Sequence, residues 1–218
     1  PVARDSETEL LDEVVRLARS PREGRCRLVV TLNVDFIVNA VSCWFHRGRP
    51  GLLTVLQQAD LVTADGMPVV LLSRLLGARI SERVTGADMV PALARRAAQE
   101  GLTLYFLGGT PENTGAAREL LCRQYPQLRI VGVDTPFVSA DATPESRAAD
   151  AAICARINAL KPDLVLVAFG NPKQELWMGR NAAQLDTGAA IGIGGSFNFL
   201  IGSVKRAPRW MQRSGLEW

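Results

Sequence analysis

The feature that most constrains the fold of this chain is a set of short, continuously apolar runs separated by amphipathic stretches. Clear examples are residues 102–107 (LTLYFL), 164–168 (LVLVA) and 189–193 (AAIGI). A strand that is apolar at every position is buried on both faces, which is typical of parallel sheets covered by helices. The pattern therefore predicts an α/β fold: a Rossmann-like, mainly parallel sheet with helices on both faces.

This alternation assigns elements along the whole chain. We predict strands at residues 27–31, 61–63, 102–107, 128–133, 164–168 and 189–193. We predict helices at residues 12–19, 35–43, 52–59, 67–76, 87–99, 111–125, 144–160 and 172–185. Thr110 has the side chain of a helix N-cap, and Pro111 suits the first helical position. No linker or repeat interrupts the series, so we expect residues 1–202 to form one domain.

Composition narrows the classes of function. The 25 basic and 22 acidic residues leave a net charge of +3, which is not typical of a general nucleic-acid binder. No nucleic-acid partner is therefore expected. No apolar run approaches the ~20 residues that span a bilayer. The four cysteines lack CxxC spacing and lie among apolar or helical residues, which indicates buried, reduced thiols (Cys26, Cys43, Cys122 and Cys154).

The distribution of metal-ligating residues favours chemistry without a metal. His46 is the one histidine of the chain, which excludes any site that needs two His ligands. No DxD sequence is present to chelate a metal diphosphate, and the remaining candidate acids are isolated in the sequence (Glu112, Asp134 and Glu175).

The residues that follow each predicted strand are the candidates for a site, because ligands of parallel sheets bind beyond the carboxyl ends of the strands. Four segments meet this condition: residues 31–35, 64–66, 108–110 and 169–174. Asp65 in the second segment has two interpretations. Partial desolvation would make its carboxylate a general base, and the same carboxylate could instead cap a helix that begins near Met67.

Two of the segments, Gly108-Gly109-Thr110 and Gly170-Asn171, join a buried strand to a helix. Small residues let a ligand approach the backbone there, and the N–H groups of a helix N-terminus favour an anion. Simple strand-to-helix turn chemistry explains the same residues. Neither segment is a GxGxxG or a P-loop sequence, which goes against a standard dinucleotide site.

Seven motifs then occur in a recognisable order. They are TLNVD (31–35), ADGMPV (64–69), RVTGAD (83–88), FLGGTP (106–111), FGNPKQELW (169–177), GIGGSF (192–197), and RAPRW (206–210) with GLEW (215–218). Together they resemble the WecG/TagA/CpsF family of bacterial glycosyltransferases from residue 27 onward.

The resemblance implies an inverting, metal-independent transferase with no cofactor, which acts in the synthesis of cell-surface polysaccharide. The donor would be a UDP-sugar carrying N-acetylmannosamine, its uronic acid or glucose. The acceptor would be a sugar linked to polyprenyl diphosphate, which places the enzyme in the cytoplasm, peripheral on the inner face of the cell membrane.

The resemblance also implies roles for particular residues. Asp65 would be the catalytic base, with Thr31 and Asn33 lining the same pocket. The expected substrate-binding residues are Arg83, Asp88, Gly108, Gly109, Thr110, Gly170, Asn171, Lys173, Gln174, Arg206 and Arg209.

The last residues differ from the rest in charge. Lys205, Arg206, Arg209 and Arg213 oppose only Glu217, with Trp residues interleaved. Such a segment suits an anionic membrane surface or a diphosphate, and it equally suits a terminal helix docked on the domain. By the resemblance, we expect residues 203–218 to be the start of a basic C-terminal appendage that is cut short at Trp218. Residues 67–76 (MPVVLLSRLL) are a candidate buried or subunit-contact surface, as in a homo-oligomer.

Two other functions stay open on the sequence. One is an NAD-dependent oxidoreductase of Rossmann type, although the chain lacks the GxGxxG turn and the acidic residue placed ~20 residues beyond it. The other is a non-catalytic subunit that binds a nucleotide-sugar without turnover.

Overall fold

The computed structural model describes residues 7–22, 24–41, 48–75, 77 and 83–204. Within them lies a parallel sheet of six strands in the order β2-β1-β6-β5-β3-β4. The strands are β1 (Arg27–Leu32), β2 (Leu61–Ala64), β3 (Thr103–Gly108), β4 (Arg129–Asp134), β5 (Leu164–Ala168) and β6 (Ala189–Gly192). The predicted fold class is confirmed.

Nine helices are seen in the same part of the chain. They are α1 (Glu7–Ala18), α2 (Val34–Ala40), α3 (Pro50–Gln58), α4 (Met67–Leu75), α5 (Gly86–Glu100), α6 (Pro111–Gln124), α7 (Pro144–Leu160), α8 (Lys173–Asn181) and α9 (Ser196–Leu200). Every predicted strand and helix overlaps an observed one. The helix α9 was not predicted, since five residues are too short to show a helical period.

The end of α8 differs from the prediction by four residues, since we predicted the helix to run from residue 172 to residue 185. The helix ends at Asn181 because the carbonyl oxygens that follow take other partners. The Ala182 carbonyl oxygen accepts from the Cys26 N–H at 2.8 Å, and the Asn181 carbonyl oxygen accepts from the Gln184 N–H at 2.9 Å. The first of these bonds connects the end of α8 to the start of β1.

Each face of the sheet carries its own hydrophobic core. Leu164, Leu166 and Ala168 of β5 lie in one core with residues of α1, α5, α6 and α9, whereas Val165 and Val167 lie in the other with residues of α2, α3, α7 and α8. This two-sided burial explains why the strands are apolar at consecutive positions. Because all six strands are parallel, their carboxyl ends lie at one edge of the sheet.

The thiols of Cys26, Cys122 and Cys154 are free; Cys26 and Cys154 are buried, as predicted, whereas Cys122 is only partly buried. Cys43 lies outside the described residues. Burial is the main cause that raises the pKa of Cys26 to about 12 and that of Cys154 to about 11. Among the described residues, no helix is long and apolar enough to cross a membrane, and no group of three or more His, Cys, Asp or Glu residues is placed to hold a metal ion.

Candidate active site

Backbone hydrogen bonds connect the loops at the carboxyl edge of the sheet to neighbouring strands. The Asp65 N–H after β2 donates to the Leu32 carbonyl at the end of β1, at 2.8 Å. The Ile193 N–H after β6 donates to Val167 of β5 at 2.9 Å, and the Gly109 N–H after β3 donates to Ala168 at 3.0 Å. These bonds connect the loop after β2 to the end of β1, and the loops after β6 and β3 to the end of β5.

The three predicted catalytic residues lie at the ends of β1 and β2. Thr31 is buried, and its hydroxyl donates to the Gly192 carbonyl of β6 at 3.0 Å. Asn33 caps α2, since its Oδ1 accepts from the Phe36 N–H at 2.8 Å. Asp65 is half-buried and stands between β2 and the start of α4. The structure thus brings these residues together on two neighbouring strands, and their catalytic roles stay predictions.

Arg83 and Asp88 flank the turn that leads into α5. The Val84 N–H between them donates to the Ala64 carbonyl at the end of β2, at 3.0 Å. Thr85 caps α5, and its hydroxyl contacts the Asp88 carboxylate at 2.7 Å. The first residue of α5 is Gly86, which packs closely against the loop after β6. A Cβ at this position would lie 2.9 Å from the Ile193 carbonyl oxygen, so glycine allows the turn to approach the carboxyl edge of the sheet.

The glycines of the loop after β3 serve packing within the protein. A Cβ on Gly108 (φ +99°) would lie 2.8 Å from the Ala168 carbonyl, and one on Gly109 (φ +75°) would lie 2.4 Å from the Thr114 hydroxyl. Thr110 caps α6 and Pro111 is its first residue, as predicted. The turn chemistry we considered as an alternative is therefore present, and ligand binding by Gly108, Gly109 and Thr110 stays a prediction.

The loop after β5 leaves more room. Gly170 has a φ of +75°, which favours glycine, and no atom of the described residues lies within 4 Å of the Cβ it would carry. Lys173 begins α8, and its ammonium lies 4.9 Å from the centre of the Phe137 ring, a cation–π contact in which the ring is 83% exposed. A positive charge and open space therefore meet at this loop.

Glu175, which stands apart from other acids in the sequence, is buried and held by two side-chain amides. It is 1% exposed, and its two carboxylate oxygens accept from the side-chain amides of Gln174 at 2.8 Å and Asn171 at 3.0 Å. Removal from water raises the pKa of this carboxyl, and the two amide bonds oppose the rise. Asn39, which was not predicted as a site residue, donates to the Asn171 side-chain oxygen at 2.7 Å.

The other two acids described as isolated behave in ordinary ways. Asp134, at the end of β4, forms an ion pair with Arg156 at 2.5 Å. Glu112 is exposed in the first turn of α6. The predicted binding residues Arg206 and Arg209 lie outside the described residues, as does most of the expected appendage at 203–218.

The fold and the bonded loops define an α/β protein with a polar site at the carboxyl edge of a parallel sheet. The chain belongs to the glycosyl transferase WecG/TagA/CpsF family, whose model matches residues 1–218. It is similar to the N-acetylglucosaminyldiphosphoundecaprenol N-acetyl-beta-D-mannosaminyltransferase of Bacillus spizizenii. The two are 32% identical over 196 residues, which cover 90% of this chain and 70% of the relative.

Membership of this family confirms the resemblance and makes the protein a glycosyltransferase. An NAD-dependent oxidoreductase and a non-catalytic subunit, the two alternatives, are therefore not supported.

Proposed function

We propose that this protein transfers a sugar from a UDP-sugar to a sugar carried on polyprenyl diphosphate, with inversion and without a metal ion. The relative from Bacillus spizizenii supports the acceptor, since its name specifies an N-acetylglucosaminyl-diphosphoundecaprenol. The same name specifies a beta-linked product, which is what inversion of an alpha-linked donor gives. The observation that carries the proposal is the position of Asp65, half-buried at the bonded ends of β1 and β2.

In the proposed reaction Asp65 removes the proton from the acceptor hydroxyl. The hydroxyl oxygen forms a bond to the anomeric carbon of the donor sugar, and the bond from that carbon to the β-phosphate oxygen breaks. The electron pair of the broken bond leaves with UDP. A single displacement of this kind needs one base and inverts the anomeric carbon.

Negative charge grows on UDP as it departs, and positive groups at the same edge would stabilise it. Lys173 supplies a full charge at the start of α8, and the N-termini of α6 and α8 both point to this edge. A helix N-terminus carries the equivalent of roughly half a positive charge. We propose that the diphosphate lies between these two helices, against Gly109 and Gly170.

The apolar part of the acceptor would lie on the other side of Asp65. The helix α2 begins directly after Asn33 and exposes Val34 and Val38, while α4 begins after Gly66 and exposes three leucines (Leu71, Leu72 and Leu75). The helices meet where Ile37 packs on Val69 and Val70. This exposed surface supports a peripheral position on the inner face of the membrane. Contact between two copies of the chain is the alternative use of α4.

The test is a transfer assay with a panel of UDP-sugars and a short-chain polyprenyl-diphosphate N-acetylglucosamine, with Mg²⁺ or with EDTA. We expect Asp65→Asn to lower kcat by roughly 10²- to 10⁴-fold, the usual contribution of a general base. Its affinity for UDP, measured by calorimetry, should not change. Asp35→Asn is the matched control because Asp35 is an exposed carboxylate in the first turn of α2.

The proposal fails in distinguishable ways. Near-normal turnover in Asp65→Asn would remove Asp65 from the role of base. Loss of activity in EDTA that Mg²⁺ restores would contradict a metal-independent reaction. Binding of NAD in place of UDP would contradict the donor.

A further inference from the structure

A chain of side-chain amides links α2 to the loop after β5 and ends on one buried carboxylate. Asn39 of α2 donates to Asn171, and Asn171 donates to Glu175. From the other side Gln174 donates to Glu175 through its Nε2 and accepts from the Gly194 N–H through its Oε1, at 2.9 Å. The chain therefore connects α2 and the loops after β5 and β6.

The Glu175 carboxylate determines the orientation of the Asn171 and Gln174 side-chain amides. An ionised carboxylate only accepts hydrogen bonds, so both neighbouring amides must turn their NH₂ groups toward Glu175. Their oxygens must then face outward, to the Asn39 amide and to the Gly194 N–H. A side chain at position 175 with both a donor and an acceptor would leave one of these amides facing a like group.

The end of β6 packs closely against the Gln174 amide at Gly192. A Cβ on Gly192 would lie 2.8 Å from the Gln174 Nε2, so glycine is needed for the amide to lie against the strand. The Gly192 carbonyl oxygen also accepts from the Thr31 hydroxyl. Gln174 and Thr31 thus hold the end of the same central strand from two sides.

We propose that Glu175 is a positioning residue, which fixes the loops after β5 and β6 in the arrangement that binds the donor diphosphate. Glu175 is buried and acts through Asn171 and Gln174 rather than on the substrate. Among the ion pairs of the described residues it has no cationic partner, which fits a carboxylate held by oriented amides. The link to the donor rests on the proposed function, whereas the effect on the loops does not.

Two variants test the orientation directly. Glu175→Gln keeps the shape of the side chain and places an NH₂ group against an NH₂ group. The double variant Gln174→Glu with Glu175→Gln exchanges the amide and the carboxylate between the two positions, so that each hydrogen-bond donor again faces an acceptor. In it, the new carboxylate at position 174 accepts from the Gly194 N–H and from the new amide at position 175, whose oxygen still accepts from Asn171. Asn39→Ala is the matched control, since it removes one bond of the same chain at the end remote from Gly194.

The first measurement is hydrogen–deuterium exchange of the peptides that cover residues 168–176 and 190–198. We expect Glu175→Gln to speed exchange at Gly194 by about tenfold, the effect of losing one hydrogen bond of ordinary strength. The double variant should return the rate to that of the wild type, and Asn39→Ala should leave it unchanged. The second measurement is calorimetry with UDP, in which Kd should rise about tenfold in Glu175→Gln. The double variant is tested by exchange alone, because Gln174 is itself an expected substrate-binding residue.

The outcomes separate the two proposals. Unchanged exchange at Gly194 in Glu175→Gln overturns the positioning role, and so does a double variant that fails to restore it or fails to fold. Faster exchange throughout the chain instead of in these loops also overturns it, because that result describes general destabilisation. If the wild type binds no UDP or UDP-sugar, the proposed function fails, and the exchange data still decide the role of Glu175.

Discussion

Replacement of Gly192 by alanine tests how closely Gln174 is held against the end of β6. The new Cβ would lie 2.8 Å from the Gln174 Nε2, 3.1 Å from its Cδ and 3.3 Å from the Met178 Cε. The Gln174 amide cannot swing away freely, because Glu175 and the Gly194 N–H hold it at both ends. The methyl group must therefore break these bonds or force the strand apart.

The magnitude follows from these contacts. Overpacking of a tight interior costs about 1–3 kcal/mol, and each lost hydrogen bond costs roughly 0.5–1.5 kcal/mol. Replacing glycine restricts the unfolded chain and returns about 0.4–1 kcal/mol. We expect the free energy of unfolding to fall by about 2–3 kcal/mol, which corresponds to a fall in Tm of roughly 4–12 °C for a domain of this size.

The assay is urea and thermal unfolding followed by circular dichroism, with Gly115→Ala as the control. Gly115 lies within α6, and no atom of the described residues is within 4 Å of the Cβ it would carry. Alanine there should stabilise the helix by up to about 1 kcal/mol. A Gly192→Ala protein as stable as the wild type would refute the reasoning, since Gln174 would then have room to move.

Two further predictions concern buried carboxylates. Asp150→Ala should lower the free energy of unfolding by roughly 3 kcal/mol, because it leaves Arg180 without the carboxylate that it contacts at 2.6 Å, while UDP affinity of the folded protein stays unchanged. An effect below about 1 kcal/mol in urea unfolding would contradict this. Burial raises the pKa of Glu175 above its ordinary value of 4.5, so the folded state holds this proton more tightly than the unfolded state. We therefore compare the free energy of unfolding of the wild type with that of Glu175→Gln. The wild-type value minus the variant value should fall as the pH rises above about 4.5. A difference that rises with pH would contradict the raised pKa.

The fold class could be predicted from the sequence because burial on both faces leaves a local signal. Strands such as β5 are apolar at every position, and glycine or an N-cap follows at their ends. The order of the strands leaves no such reliable signal, since the edge strand β2 is buried at every position, as the central strands β5 and β6 are. Their central place depends on pairing with distant segments, which only the structure shows.

The candidate site was partly predictable for a similar reason. Asp65, Thr31 and Asn33 follow predicted strands, so the rule for parallel sheets locates them at one edge. The bonded partner of each is set by tertiary contacts, as with the Thr31 hydroxyl and Gly192. The burial of Glu175 was not predicted, because an acidic side chain is usually exposed to solvent. Its signal was the apolar surroundings, with residues 168–169 before it and residues 176–178 after it.

The strand order also governs how the chain can fold during synthesis. The strands β1 and β2 pair with each other, as do β3 and β4, but the two pairs are joined only through β6 and β5, which come last in sequence among the strands of the described residues. Until Gly192 has left the ribosome, one edge of β1 has no strand beside it and stands open to other chains. The nascent protein is therefore prone to aggregation until β6 emerges, and the ends of β1 and β5 come together only once β6 has been made.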